Sequence, residues 1–151
     1  MQYTVHFVQE VSAQDLEPPM MLAALETLKS EQAVAGSLTL VVTDEDRIRE
    51  LNQNFAGIDQ PTDVLAFPGE EIDPDEQGNY FGDVIIALPF AKRQAQKAGH
   101  SIQAEVSLLV VHGILHLLGY DHASKDDKQA MWAKQTAILA ELGLNSLEVS
   151  E

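Results

Sequence analysis

Residues 106–122 read VSLLVVHGILHLLGYDH, and this stretch predicts the centre of the fold. From Val106 to Leu118 it is apolar on every side of a helix, which indicates a helix that is buried all round. Gly119 can adopt the positive φ that ends a helix and turns the chain back. The uncharged run from Val106 to Tyr120 is shorter than the roughly 20 residues of a membrane span, so we expect a buried helix and no membrane partner.

Strands and helices alternate on either side of this central helix. The predicted strands are Tyr3–Val8, Ser37–Val42, Thr62–Phe67 and Asp83–Leu88. Four further helices are predicted. The first extends from Pro18 to a stop at Gly36, and the second from a cap at Thr43 or Asp44 to Asn54. The third extends from Pro89 to near Gly99, and the fourth from about Asp126 to Leu142, after a cap at Ser124. The acidic stretch Gly69–Asn79 predicts an exposed loop.

No helix is predicted between the third and the fourth strand, so these two strands should pair antiparallel. We therefore expect an α+β fold, in which a mixed sheet of about four strands packs with helices around the central buried helix. The chain shows no internal repeat and no long Gly/Ser linker, which predicts a single domain over residues 1–151, with residues 144–151 as a loose tail.

Composition narrows the chemistry that this domain can perform. The 151 residues include no cysteine, so any metal ion must bind nitrogen and oxygen ligands. Nine basic residues against 24 acidic ones give a net charge of −15, which opposes general attraction to RNA, DNA or anionic membranes. Basic residues still cluster locally, at Arg47 and Arg49, at Lys92, Arg93 and Lys97, and at Lys125, Lys128 and Lys134. The start MQYTVHFVQE has no basic region ahead of an apolar stretch, so we expect a cytoplasmic protein.

Three histidines follow the spacing of metal ligands. His112 and His116 are four residues apart, so they lie on one face of the predicted helix, and the turn at Gly119 brings His122 back towards them. A catalytic zinc site uses three protein ligands and keeps a fourth position open. The alternative is that these are core histidines bonded to backbone carbonyls, or an exposed cluster; the spacing and the glycine favour one zinc ion per chain. His6 and His100 show no such relation, and we interpret them as ordinary histidines.

The spacing is also that of the metzincin protease motif HExxHxxGxxH, in which the glutamate is the general base. Here Gly113 occupies the position of that glutamate, which argues against ordinary peptide hydrolysis. Met131 could be the methionine below such a metal, but its helical spacing with Trp132 and Gln135 favours a place in the core. Asp121 either orients a ligand histidine or holds a water, or it caps the turn, and the sequence leaves these interpretations open.

The segment HGILHLLGYDH resembles the hallmark of the YbeY family of endoribonucleases, bacterial factors for ribosomal RNA maturation. Three upstream segments are similar to that family as well, namely LNQNF at 51–55, PTDVLAFP at 61–68 and FGDVIIAL at 81–88. Together with the order of the predicted elements, the resemblance covers roughly residues 37 to 142.

The resemblance implies an activity, a cofactor and a partner. It implies that His112, His116 and His122 are the ligands of a zinc ion and that the chain hydrolyses single-stranded RNA. The implied role is maturation of the 3′ end of small-subunit ribosomal RNA and quality control of ribosomes, with ribosomal RNA or the ribosome as partner. Zinc can activate water or polarise a phosphodiester without a protein glutamate, which makes Gly113 compatible with this activity.

One position departs from the family pattern. The family usually places an arginine directly after the aromatic residue of the LNxxF/Y segment, whereas this chain has Ala56. An arginine there is the natural partner of a phosphate, so its absence predicts poor cleavage unless Arg47, Arg49 or Arg93 substitutes for it. In PTDVLAFP the polar residues that could line the site are Thr62 and Asp63, although a strand that ends in a proline turn also explains the segment.

Two rival functions stay open at this point. A metalloprotease-like hydrolase is favoured by the histidine spacing and disfavoured by Gly113. A ribosome assembly protein with a structural zinc and no catalysis is favoured by Ala56 and by the net charge of −15.

Overall fold

The computed structural model describes residues 2–69, 72–73, 78–121 and 123–144. The strands are β1 (Tyr3–Gln9), β2 (Gly36–Thr43), β3 (Val64–Pro68), β4 (Ile72–Asp73) and β5 (Gly78–Ala87). The helices are α1 (Glu17–Ser30), α2 (Glu45–Ala56), α3 (Leu88–Ala98), α4 (Ile102–Leu117) and α5 (Lys125–Glu141). In the described part of the chain, no helix is both long and apolar enough to cross a membrane.

The strands form one mixed sheet, which confirms the predicted α+β fold. The order is β1-β2-β5-β3, and the two-residue strand β4 pairs with the beginning of β5. β1, β2 and β5 are parallel, whereas β3 pairs antiparallel with β5 from Val64↔Ile86 to Pro68↔Gly82. β3 is the last strand in this spatial order, beside β5. One long side of β3 therefore has no strand beside it among the described residues.

The core lies mainly on one face of the sheet. Alternate residues of β2, namely Leu38, Leu40 and Val42, are fully buried and pack with α1, α4 and α5. The opposite face carries a smaller cluster around Ile48 of α2 and Ile85 of β5. Helix α4 is buried along most of its length, which confirms the prediction of a central buried helix.

Several predicted boundaries differ from the structure. The fourth predicted strand, Asp83–Leu88, is β5 and extends from Gly78 to Ala87, and Leu88 is the first residue of α3. Two further differences have a clear physical cause. Helix α1 ends at Ser30 instead of Gly36, because Gly36 already belongs to β2. A Cβ atom at Gly36 would lie 2.4 Å from the Asn79 carbonyl oxygen, so the glycine allows β2 and the beginning of β5 to approach. Helix α4 begins at Ile102 instead of Val106, because the Ser101 hydroxyl accepts a hydrogen bond from the Ala104 N–H (3.1 Å) and caps the helix.

The other caps were predictable. Asp44 caps α2 by accepting from the Arg47 N–H (2.8 Å), and Ser124 caps α5 by accepting from the Asp127 N–H (3.1 Å). The predicted acidic loop falls largely on residues 70–71 and 74–77, outside the described residues, while Ile72 pairs with Asn79. Most of the predicted loose tail, residues 145–151, also lies outside them; the Leu144 N–H donates to the Leu139 carbonyl oxygen (2.7 Å).

Candidate metal centre

Two of the three predicted ligands converge on the last turns of α4. The Nε2 atoms of His112 and His116 lie 3.2 Å apart, and their rings cross at 74°. Two imidazole nitrogens that share a tetrahedral zinc ion, each at about 2.0–2.1 Å, lie about 3.3 Å apart. Both side chains are half-buried, with one side towards a cleft. The separation and the chemistry of this pair fit a shared divalent ion.

Gln135 fixes the orientation of one of these rings. Its Oε1 atom, on α5, contacts Nδ1 of His112, and its side chain is 2% exposed. Because a carbonyl oxygen only accepts, the Nδ1 atom carries the proton and the lone pair of Nε2 faces His116. From the sequence, Gln135 was considered only as a helical neighbour of Met131 and was given no role of its own. The signal that could have identified it is a polar residue on the buried face of α5. Met131, one turn earlier, packs in the hydrophobic core as expected.

The chain turns back directly after α4. Gly119 has φ of 104°, and its N–H donates to the His116 carbonyl oxygen (3.0 Å). The Tyr120 N–H donates to the Leu115 carbonyl oxygen (3.0 Å), which closes the turn. The third predicted ligand, His122, lies outside the described residues, and within them no group of three or more His, Asp and Glu side chains is placed to hold an ion.

The Tyr120 side chain is tied to a distant part of the chain. Its hydroxyl donates to Oε1 of Glu31 (2.6 Å), a residue that directly follows α1. This hydrogen bond, together with burial, raises the pKa of Tyr120 to about 12. The turn is therefore held by its own backbone and by a side-chain contact across the domain.

The histidine pair lines a cleft of about 620 Å³ between the end of α4 and the edge strand β3. The lining residues are Thr62, Asp63, Val64, Leu65, Ala66, Pro68, His112, Gly113, His116, Gly119, Tyr120 and Asp121. The structure thus places Thr62, Asp63 and Asp121 at the cleft. No lysine or arginine belongs to this lining among the described residues, so the protein side chains there contribute negative charge.

The Asp63 carboxylate is held from two sides. It accepts from the Val64 N–H (2.8 Å) and from the amide nitrogen of Gln94 (3.1 Å). The same Gln94 nitrogen contacts Glu105 (3.2 Å), a buried carboxylate whose other oxygen lies 2.6 Å from Nε2 of His100. His100 therefore belongs to a polar network that ends at the cleft, a relation that its sequence spacing did not reveal.

The arginines that could have replaced the family arginine point to other partners. Arg49 forms a two-point contact with Asp59 (2.7 and 3.2 Å), which lowers the pKa of that carboxyl below its ordinary value. Arg47 lies 3.3 Å from Glu50, and Arg93 pairs with Glu45. None of the three belongs to the described lining of the cleft. Ala56 itself is exposed at the last position of α2.

Gly113 lies where α4 crosses the sheet. A Cβ atom at this position would lie 2.7 Å from Cγ1 and 3.1 Å from Cγ2 of Val84, on β5. Because valine is stiff about χ1, neither atom can swing away easily. This contact gives a physical reason why the metzincin glutamate is replaced by glycine, since no larger side chain fits without a shift of α4.

We expect Gly113→Ala to lower the free energy of unfolding by about 1–3 kcal/mol, because the added methyl group overpacks the contact with β5. Denaturant unfolding followed by circular dichroism measures this change. The control is Val84→Ala, alone and combined with Gly113→Ala: the double variant should be more stable than the sum of the two single losses predicts. Strict additivity would contradict the proposed clash.

The sequence comparisons with known proteins agree on one family, and one solved structure is similar over nearly the whole chain. The sequence profile described as Endoribonuclease YbeY matches residues 4–143. A protein named Endoribonuclease YbeY from Brevibacillus brevis is 38% identical, covering 89% of this chain and 96% of its own. One of the same name from Desulforamulus reducens is 47% identical, covering 70% and 72%. A solution structure from Thermotoga maritima is similar with a TM-score of 0.60 and 29% identity over 97% of both chains.

Proposed function

The chain belongs to the Endoribonuclease YbeY family, and on this basis we propose that it is a zinc-dependent endoribonuclease that cleaves single-stranded ribosomal RNA. The proposal assigns it to maturation of the 3′ end of small-subunit ribosomal RNA and to ribosome quality control in the cytoplasm. It treats residues 1–151 as one hydrolase domain with one ion per chain. The observation that carries the proposal is the pair of Nε2 atoms 3.2 Å apart inside the cleft.

Each residue of the proposed centre has a specific role. His112 and His116 bind the ion through Nε2, and His122 is the third ligand by its place in the motif. When bound, zinc supplies Lewis-acid chemistry towards a phosphodiester and lowers the pKa of water. Gln135 keeps the proton of His112 on Nδ1, so the lone pair of Nε2 stays available as a ligand. The wall formed by β3 limits access to the cleft from the other side.

The charge distribution decides how such a substrate would bind. The described cleft lining contains Asp63 and Asp121 and no lysine or arginine, and the whole chain carries a net charge of −15. Attraction between RNA phosphates and this protein therefore depends on the ion and on few local contacts. We accordingly propose slow cleavage by the wild-type protein, with modest dependence on salt.

A second candidate function is supported by the same charge distribution. Ala56 in place of the family arginine, together with an acidic cleft, favours a ribosome assembly protein with a structural zinc and no hydrolysis. The metalloprotease-like alternative is weaker, because the Gly113 position has no space for the glutamate that acts as base in such enzymes.

A cleavage assay under single-turnover conditions separates these functions. Zinc-loaded protein is incubated with single-stranded ribosomal RNA, with the same sequence as duplex RNA, with the matching DNA strand, and with unfolded casein. The endoribonuclease proposal expects zinc-dependent cleavage of the single-stranded RNA and of nothing else. Cleavage of casein would support the protease, and stoichiometric zinc without hydrolysis of any substrate would support the assembly protein.

A further inference from the structure

Glu31 is an unusually buried carboxylate outside every motif of the chain. Glu31 directly follows the end of α1, and its side chain is 9% exposed. Oε1 accepts from the Tyr120 hydroxyl (2.6 Å), and Oε2 lies 3.6 Å from Nζ of Lys134 on α5. Glutamate is rarely buried unless it is paired, and here the Lys134 ammonium supplies the opposite charge while the Tyr120 hydroxyl supplies the hydrogen bond.

Tyr120 lies in the turn directly after α4, close to the proposed metal centre. It lies between His116 and His122 in the sequence, and its side chain lines both the cleft and a neighbouring pocket of about 330 Å³ beside Glu31. Gly119, with φ of 104°, precedes it. Glycine is the most permissive residue for backbone conformation, so this turn gains little stiffness beyond its two backbone hydrogen bonds.

We propose that Glu31 is a positioning residue for the metal centre, which fixes the turn towards His122 by holding the Tyr120 hydroxyl. It binds no ion and contacts no substrate. It acts through Tyr120, at a separation of 89 residues along the chain, by tying the turn to the end of α1. This inference rests on the proposed zinc site, which it extends beyond the residues of the histidine motif.

Helix α5 contacts both Glu31 and the proposed ligand His112. Lys134 lies near Glu31, and the next residue, Gln135, contacts Nδ1 of His112. One turn of α5 therefore supports the ligand on α4 through Gln135 and the turn after α4 through Glu31. Such outer contacts typically change metal affinity 10- to 100-fold when they are lost, because the ligands are then held less rigidly.

The test measures zinc affinity by competition with a chromophoric chelator, in the absence of RNA. Tyr120→Phe removes only the hydroxyl, and we expect zinc to bind about tenfold more weakly. Glu31→Leu should weaken binding by a similar factor, and the double variant no more than either single one, because both act through one hydrogen bond. Glu31→Gln retains an acceptor oxygen and should restore most of the affinity.

The matched control is Tyr80→Phe. The Tyr80 hydroxyl also donates to a carboxylate, that of Asp83 on β5, and neither residue belongs to the described lining of the cleft. This variant should keep wild-type zinc affinity even if its melting temperature falls. If Glu31→Leu does not fold, Tyr120→Phe and Glu31→Gln still decide the question.

Each result has a distinct meaning. Unchanged zinc affinity in Tyr120→Phe, with zinc bound normally by the wild type, overturns the role of Glu31 and leaves the proposed function intact. A wild type that binds no zinc overturns both the zinc site and this inference. Normal zinc affinity combined with no cleavage of RNA contradicts the ribonuclease proposal, while the affinity series still tests Glu31.

Discussion

The His116→Ala variant should bind zinc more than about 100-fold more weakly than the wild type and lose RNA cleavage by at least the same factor. Loss of an outer contact already costs up to about 100-fold in metal affinity or activity, and this change removes one of the proposed ligands itself. Metal analysis of protein purified without chelator, together with single-turnover cleavage, measures both losses. The wild type should contain nearly one zinc per chain.

Removal of zinc from the wild type should reproduce this phenotype and lower the melting temperature, because bound metal stabilises only the folded state. His6→Ala is the matched control, since His6 is an exposed histidine on β1 and should leave metal content unchanged. Equal zinc content in the wild type and in the alanine variants of His112, His116 and His122 would refute the site.

Ala56→Arg should raise the single-turnover rate of RNA cleavage by about tenfold or more. Removal of one preorganised donor near developing charge typically costs about 10²–10³ in rate, so even a partly aligned guanidinium should produce a clear gain. Ala56 is exposed at the end of α2 and precedes Gly57, which caps the helix with φ of 72°, so the fold should tolerate the longer side chain.

Ala98→Arg is the matched control for this substitution. Ala98 is also the exposed last residue of a helix, α3, and precedes Gly99 with φ of 80°. Neither alanine belongs to the described lining of the cleft, but only Ala56 stands where the family usually has the arginine. Both variants add the same charge, so a gain confined to Ala56→Arg reports a local contact. Rapid cleavage by the wild type with no gain from the arginine would show that another residue binds the phosphate.

Local patterns predicted most of the architecture. The apolar run before Gly119 predicted α4, and the absence of a helix between Thr62 and Leu88 predicted the antiparallel pair of β3 and β5. The four-residue spacing of His112 and His116 predicted their convergence, because helix geometry alone brings such residues together. Each of these features depends on neighbours in the sequence.

The residues that support the proposed centre could not be predicted from such local patterns. Gln135, Glu31 and Gln94 each act through a contact with a distant part of the chain, and their own neighbourhoods carry no signal of it. The same reason explains the error at Gly36, whose role depends on the approach of β5 rather than on the end of α1. Contacts between separate elements are set by packing, which one sequence does not display.

The edge strand β3 is poorly suited to receive another strand. Asp63 and Gly69 direct backbone bonds to β5, so the N–H groups of residues 64, 66 and 68 belong to the open side. There the Val64 N–H is bonded to the Asp63 carboxylate, and Pro68 has no N–H. Only Ala66 retains a donor in this row. An added peptide strand would find the carbonyl oxygens of residues 64, 66 and 68 as acceptors but only one N–H donor, so its ladder would be incomplete. The same shortage of donors makes this edge less prone to edge-to-edge aggregation.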